Sequence, residues 1–226
     1  MARLYLVRHG ETTSNVMRRL DTALPGASLT DFGVRQAVRY GLENQVAERG
    51  VEPDAGRVLL SSQATRAQQT AEVIASVWGA DADVVAGVHE VQAGELEDRT
   101  DDDAHGTFRE ILDRWYSGDP DAPIPGGESL TMVLERYLPV VTDLAQRYLS
   151  GPDARDVYLV SHGAAIRLVA AHLAGIDGKF AAATHLANTG SIELEYTDGL
   201  WVPQRWGATR APFELVDEPL VADPMG

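Results

Sequence analysis

Four short apolar runs recur along the chain, each of strand length: residues 3–7 (RLYLV), 56–62 (GRVLLSS), 81–88 (DADVVAGV) and 155–162 (RDVYLVSH). None alternates cleanly between apolar and polar positions, which predicts strands covered on both faces, as in a parallel sheet between helical layers. Between the runs the apolar positions return with helical period. Helices are expected over 30–49, with Thr30 as the cap, over 64–78, and over 101–116, where Asp101, Asp102 and Asp103 suit a helix start. Another is expected over 129–149, its apolar face built from residues such as Val133, Tyr137, Val141 and Leu144, with a kink at Pro139. Residues 163–174 follow the fourth run as a largely buried helix. Near the end, 191–196 and 200–205 alternate around Asp198-Gly199 and predict a hairpin.

Strand alternating with helix and closing on a hairpin predicts an α/β fold: a three-layer α/β/α sandwich around a mixed, mainly parallel sheet of about six strands. No repeat, low-complexity tract or linker interrupts the pattern, so the 226 residues read as a single domain. The acidic, proline-bearing stretch from 211 to 226 is expected to lie along the surface. Residues 94–127, acidic and loop-rich at both ends, are placed where they could roof a site.

Composition narrows the function classes. A formal net charge of −15 argues against nucleic acid as a partner, because affinity for its backbone comes from clustered Lys and Arg. Lys179 is the only lysine, so arginine must do nearly all cationic work, and its planar fork suits bidentate phosphate recognition. The absence of cysteine excludes disulfides, thiolate nucleophiles and cysteine-bearing zinc sites. No stretch approaches the roughly 18 apolar residues of a membrane span, nor does the start carry a signal-peptide core, so a cytoplasmic location away from membranes is expected.

Ligands of open α/β sheets bind beyond the carboxyl ends of the parallel strands. Three of the four runs end there in groups that handle a phosphoryl: Arg8 and His9, then Ser61, Ser62 and Arg66, then His162 and Gly163. Two arginines, two histidines and a helix start at one edge would form a positive cup for a tetrahedral dianion.

The motifs "LVRHGETTSN", "SSQATRAQQTA", "PGGES" and "VSHGAAIR", in that order, resemble the series found in the histidine phosphatase superfamily, the phosphoglycerate-mutase-like enzymes. "SLTDFGVRQA" resembles the family's segment before its first long helix, and the likeness runs from residue 3 to about residue 195. The resemblance implies that His9 is the nucleophile and becomes a phosphohistidine. It implies that Arg8, Arg66, His162 and Asn15 hold the phosphoryl oxygens, with Gly163 opening the helix behind them, and that Glu90 is the proton donor. Leu96 and Asp98 stand where the family has an aromatic residue and a glycine, which leaves Glu95 and Glu97 as alternative acids. "RRLDTALPGA" also departs from the family, so Arg18, Arg19 and Thr22 are candidate substrate contacts without a firm alignment.

The expected function is a metal-independent phosphomonoesterase without a cofactor, acting on a small phosphorylated metabolite. Two alternatives stand beside it: a cofactor-dependent phosphoglycerate mutase, and a binding module that keeps the phosphate cup without turnover. A mutase should carry extra cations in its roof, yet Arg99, Arg109 and Arg114 are embedded there among acids. A zinc site at His89-Glu90 would need histidine at position 93, which is Ala93, and the Asp101–103 run reads as a helix start rather than a magnesium site. His105, His172 and His185 lack ligand-like spacing and are expected to pack or hydrogen-bond. The C-terminal hairpin leaves strands that make a homodimer plausible.

Overall fold

The computed structural model describes residues 2–45 and 57–213. Its elements run β1 (Arg3–Arg8), α1 (Thr13–Val16), α2 (Asp31–Glu43), β2 (Arg57–Ser62), α3 (Thr65–Trp78), β3 (Asp83–Val85), α4 (Asp102–Tyr116), α5 (Leu130–Leu144), β4 (Asp156–Ser161), α6 (Gly163–Ala174), α7 (Gly178–Ala183), β5 (Ser191–Thr197), β6 (Leu200–Trp206) and β7 (Thr209–Arg210). The strands form one sheet in the order β3-β2-β4-β1-β5-β6-β7. From β3 to β1 every pairing is parallel, and from β1 outward to β7 every pairing is antiparallel.

Helices cover both faces of this sheet. In β4, Val157 and Leu159 enter one core while Tyr158 and Val160 enter the other. The smaller core is closed by Tyr40 of α2 and by Ala67, Ala71, Ile74 and Trp78 of α3, and the larger one by α4, α5 and α6. A strand with a helix on each side has no solvent-facing parity, which is why its sequence does not alternate.

Helix ends follow local chemistry. The side chains of Thr30, Asp101 and Ser129 accept hydrogen bonds from the amides of Gly33, Ala104 and Met132, capping α2, α4 and α5. Gly79 and Gly175 close α3 and α6 in the left-handed conformation. The hairpin turn has positive φ at both Asp198 and Gly199, the requirement of a type I′ turn.

Several expected boundaries shift. The helix from Thr30 stops at Glu43 with Asn44 as its C-cap, and 46–49 of the expected span, like Gly56 of the second strand, lie outside the described residues. The third strand covers only Asp83–Val85, because Gly87 turns the chain at φ 87. Pro139 stays within α5, and the departure from α-geometry comes later, as a π-turn over Ala145–Leu149. The sheet holds seven strands rather than about six, since β7 adds two residues beside β6. α7, capped by Asp177, was not expected from the sequence. The tail from 214 lies outside the described residues.

Register brings the site together. Arg8 pairs with Ser161 across parallel strands, so the residues that follow, His9 and His162, leave the sheet side by side. Behind them the His9 loop meets α2 backbone to backbone. A Cβ on Gly10 would lie 2.6 Å from the Gly33 carbonyl oxygen, and one on Gly33 would lie 2.1 Å from that of Glu11.

Candidate active site

His9 is 4% exposed, and its ring orientation is set by its own loop. Nδ1 lies 2.7 Å from the carbonyl oxygen of Gly10. A carbonyl only accepts, so the ring proton sits on Nδ1 and Nε2 carries the lone pair. Arg66 Nε donates to that lone pair at 3.1 Å and shares the same N–H with Nδ1 of His162 at 3.2 Å. Burial, then the guanidinium of Arg66, then that of Arg8, hold the His9 pKa well below the usual imidazole value. His9 is therefore a neutral imidazole at neutral pH.

His162 caps α6 and is fully buried. Because Arg66 donates to its Nδ1, its proton is on Nε2, which donates to Ser62 Oγ at 2.9 Å. Burial, Arg66 and His9 depress its pKa in that order. Arg66, in the first turn of α3, keeps Nη1 buried without a hydrogen bond, its nearest acid being Asp21 at 3.7 Å. Gly26 makes room for this guanidinium, since a Cβ there would fall 2.3 Å from Nη1. Arg8 is buried and donates through Nη1 to the carbonyl of Leu186 at 2.7 Å.

Glu90 is 1% exposed and accepts from three backbone amides: Val91 and Ala165 on Oε1 at 2.8 and 2.9 Å, and Ala164 on Oε2 at 3.2 Å. Burial outweighs these bonds and raises its pKa. The first free amides of α6 thus face a carboxyl group. Gly163 opens the helix, buried, and the amides of its successors Ala164 and Ala165 are engaged by Glu90. Asn15 closes a capping box with Thr12 in α1, its Oδ1 accepting from Thr12 N at 3.0 Å and from Asn188 Nδ2 at 3.3 Å.

His9, Asn15, Asp21, Arg66, Glu90 and His105 line one cavity of about 620 Å³, counted out to its open mouth. Arg18 and Arg19 also line it, whereas Arg8, His162 and Gly163 lie outside the lining. Thr22 is engaged elsewhere: Glu97 accepts from its amide and hydroxyl, and its Oγ1 accepts from Ala93 N. Glu97 is spent on this loop contact and Glu95 is exposed, whereas Glu90 and Asp21 are the carboxyl groups that line the cavity. The arrangement offers an unprotonated imidazole nitrogen, guanidinium donors, and a carboxyl biased toward its protonated form. Nucleophile, anion clamp and acid are the parts of phosphoryl transfer.

Two supports have no sequence signal. Arg136 of α5 donates to the carbonyls of Gly87, His89 and Glu90 at 2.9, 2.9 and 3.0 Å, and pairs with Glu128 at 2.7 Å. It thereby clamps the loop that carries Glu90. His105, expected to pack or hydrogen-bond, hydrogen-bonds the Arg18 carbonyl and also lines the cavity. Residues 94–127 are stitched at both ends, since Gly94 and Gly127 pack so closely that a Cβ on Gly94 would lie 2.2 Å from Gly127 N. Among the described residues, no three His, Asp or Glu side chains are placed to share a metal ion, and no helix is long and apolar enough to cross a membrane.

Comparison with known proteins agrees with this geometry. The family model of the histidine phosphatase superfamily (branch 1) matches residues 4–209. The chain is 32% identical over 209 residues to a probable phosphoglycerate mutase GpmB of Proteus mirabilis, covering 91% of this chain and 90% of that protein. It is 30% identical to the protein of the same name in Yersinia pestis, with the same coverage. Among solved structures, a mycobacterial glucosyl-3-phosphoglycerate phosphatase with bound VO3 superposes with a TM-score of 0.74 at 26% identity, covering 92% of this chain and 100% of that one.

Proposed function

The chain belongs to the histidine phosphatase superfamily, and on that premise we propose that it hydrolyses small phosphate monoesters through a phosphohistidine on His9. One observation carries the reading: Nε2 of His9 holds an unprotonated lone pair, fixed by the Gly10 carbonyl, inside a cavity that also contains Arg66 and Glu90.

His9 Nε2 attacks phosphorus in line, forming the N–P bond as the ester P–O bond breaks. Arg66 turns its Nε and unpaired Nη1 to the phosphoryl oxygens. The buried charge of Arg8 and the Asn15 amide complete the cup, and His162 joins it once protonated on Nδ1, the nitrogen that Arg66 leaves as it turns to the phosphoryl group. Protonated Glu90 gives its proton to the departing alkoxide. As a carboxylate it then takes a proton from water, whose oxygen attacks phosphorus, releasing inorganic phosphate and restoring His9. No step needs a metal or an organic cofactor, because guanidinium groups carry the positive charge.

A phosphoglycerate mutase is the second reading, favoured by the names of the curated relatives. The roof speaks against it. Arg99 and Arg114 pair with Asp101 and Asp119 at 2.5 Å each, on its exposed side, and neither lines the cavity. The second anionic group of a bisphosphorylated intermediate would have only Arg18 and Arg19 beyond the phosphoryl clamp, and these already pair with Asp102 and Asp98 at 3.3 and 3.4 Å.

Incubation with 3-phosphoglycerate, with and without 2,3-bisphosphoglycerate, separates the two. Phosphate release is expected, and primer-dependent formation of 2-phosphoglycerate without phosphate would favour the mutase. p-Nitrophenyl phosphate in the presence of EDTA tests for turnover of any kind, and His9→Ala is expected to abolish both turnover and acid-labile phosphoryl labelling. Phosphate binding without wild-type turnover would leave only a binding module.

A further inference from the structure

Resting on the phosphatase reading above, we propose that His105 is a specificity residue whose Nδ1 accepts a hydrogen bond from a hydroxyl on the alcohol half of the substrate. Hydroxylated phosphate monoesters are then the preferred class.

His105 projects from α4, is 4% exposed, and lines the same cavity as His9 and Glu90. Its Nε2 lies 2.7 Å from the carbonyl oxygen of Arg18. Since that carbonyl can only accept, Nε2 carries a proton, and in this tautomer Nδ1 presents a lone pair. Nδ1 is buried and has no hydrogen-bond partner. Buried polar atoms in folded proteins are nearly always paired, and an unpaired one on a residue that lines a cavity is where a ligand's donor can satisfy it.

The tautomer is built in by the backbone. Arg18 adopts φ 52, a left-handed conformation uncommon for arginine. It is held there by hydrogen bonds from Arg18 N to Asn15 O and from Arg19 N to Ser14 O, at 3.0 and 2.8 Å. This turn ends α1 and aims the Arg18 carbonyl at the ring, so the acceptor on the other side of the imidazole is fixed before any ligand arrives.

A lone pair needs a donor, either a hydroxyl or an ammonium. Arg18, Arg19 and Arg66 line the cavity against Asp21 and Glu90. Arg18 and Arg19 also pair with Asp102 and Asp98 at 3.3 and 3.4 Å, but the buried Arg66 keeps a positive charge in the chamber, which disfavours a cationic ligand. The donor is a hydroxyl.

The test compares kcat/KM for glycerol 3-phosphate and propyl phosphate, which share a three-carbon skeleton and differ in hydroxyl groups. The wild type is expected to favour glycerol 3-phosphate by about tenfold or more. His105→Gln can keep a donor to the Arg18 carbonyl but removes the Nδ1 acceptor, and should cut that ratio about tenfold. His105→Asn places an amide oxygen near the Nδ1 position and should retain more of it. A wild-type ratio near one overturns the proposal, and so does an unchanged ratio in His105→Gln. If His105→Gln does not fold, the wild-type ratio and the Asn variant still decide. Turnover of p-nitrophenyl phosphate alongside a ratio of one would sink the His105 assignment alone, whereas no turnover of any ester would sink the phosphatase reading and this one with it.

Discussion

The Arg66 guanidinium occupies the space that a side chain on Gly26 would need: a Cβ there would lie 2.3 Å from Nη1, and Gly26 itself sits at φ 71. Arg66 is buried and held by two imidazoles, so it cannot step aside without leaving them. Gly26→Ala should therefore lower kcat/KM for p-nitrophenyl phosphate by about tenfold or more, the loss of one charge-assisted contact. It should also cost about 1–2 kcal/mol of stability for the left-handed backbone. Steady-state kinetics with inorganic phosphate as competitor reads the first effect and urea unfolding the second. Normal phosphate affinity in a folded variant would mean that Arg66 does not need this space.

Glu90 is assigned proton transfer to the leaving group, and the leaving group reports on it. Glu90→Gln should slow hydrolysis of alkyl phosphates by roughly 10²- to 10⁴-fold and of p-nitrophenyl phosphate much less, because nitrophenolate departs without a proton. Burial raises the Glu90 pKa, so the acid form persists above the ordinary carboxylate range. For alkyl esters kcat/KM should decline on the alkaline side as that proton is lost, and Glu90→Gln should abolish the limb. Equal losses for both ester types would give Glu90 another task.

Arg136 holds the Glu90 loop through three carbonyls and neutralises Glu128, both side chains being largely buried. Arg136→Met should destabilise the fold by about 3 kcal/mol, since it leaves a buried carboxylate unpaired. The double variant Arg136→Met/Glu128→Gln should recover part of that. If Arg136 positions Glu90, the single variant also loses more rate on alkyl esters than on nitrophenyl ester. A uniform loss would mark the clamp as structural only.

Stability should fall as the solution is acidified below about pH 6.5, the ordinary histidine value. His9 and His162 have native pKa values well below it, so the unfolded chain binds protons there that the folded chain refuses. Their contribution is complete above that pH and is lost as pH drops toward the depressed native values, at up to about 1.4 kcal/mol per pH unit for each ring. The raised Glu90 acts with opposite sign, favouring the fold at low pH and less so as pH rises past the ordinary carboxylate value. Urea unfolding of wild type and His162→Asn between about pH 5 and 7.5 checks this. A slope identical in the two would show that His162 titrates normally.

Much of the molecule was legible because its signals are local. Unalternating strands such as 155–162 announced a sheet buried on both faces, Thr30 and Asp101 announced helix starts, and Asp198-Gly199 announced a turn. Arg8, His9, Arg66 and His162 were readable as a group because strand ends and helix starts of an α/β sheet share one edge. The rest depends on contacts between distant residues. Arg136 reaches Glu90 across 46 positions, and the α6 amides reach it across 74 and 75, so neither leaves a periodic trace. His105 looked like any polar residue on an amphipathic helix. Only the loop that brings the Arg18 carbonyl against it reveals the free nitrogen.

The glycine pair at the two ends of 94–127 turns that span into a hoop riveted at its neck. Because its closure lies in backbone contact, the exchangeable part is what lies between. Insertions or substitutions within α4 would re-cut the chamber's ceiling while the neck, and with it the spacing of Glu90 from the sheet, stays put. If the proposed phosphatase chemistry holds, a scaffold so divided would let one floor serve many alcohols, with the choice among them written in the span that carries His105.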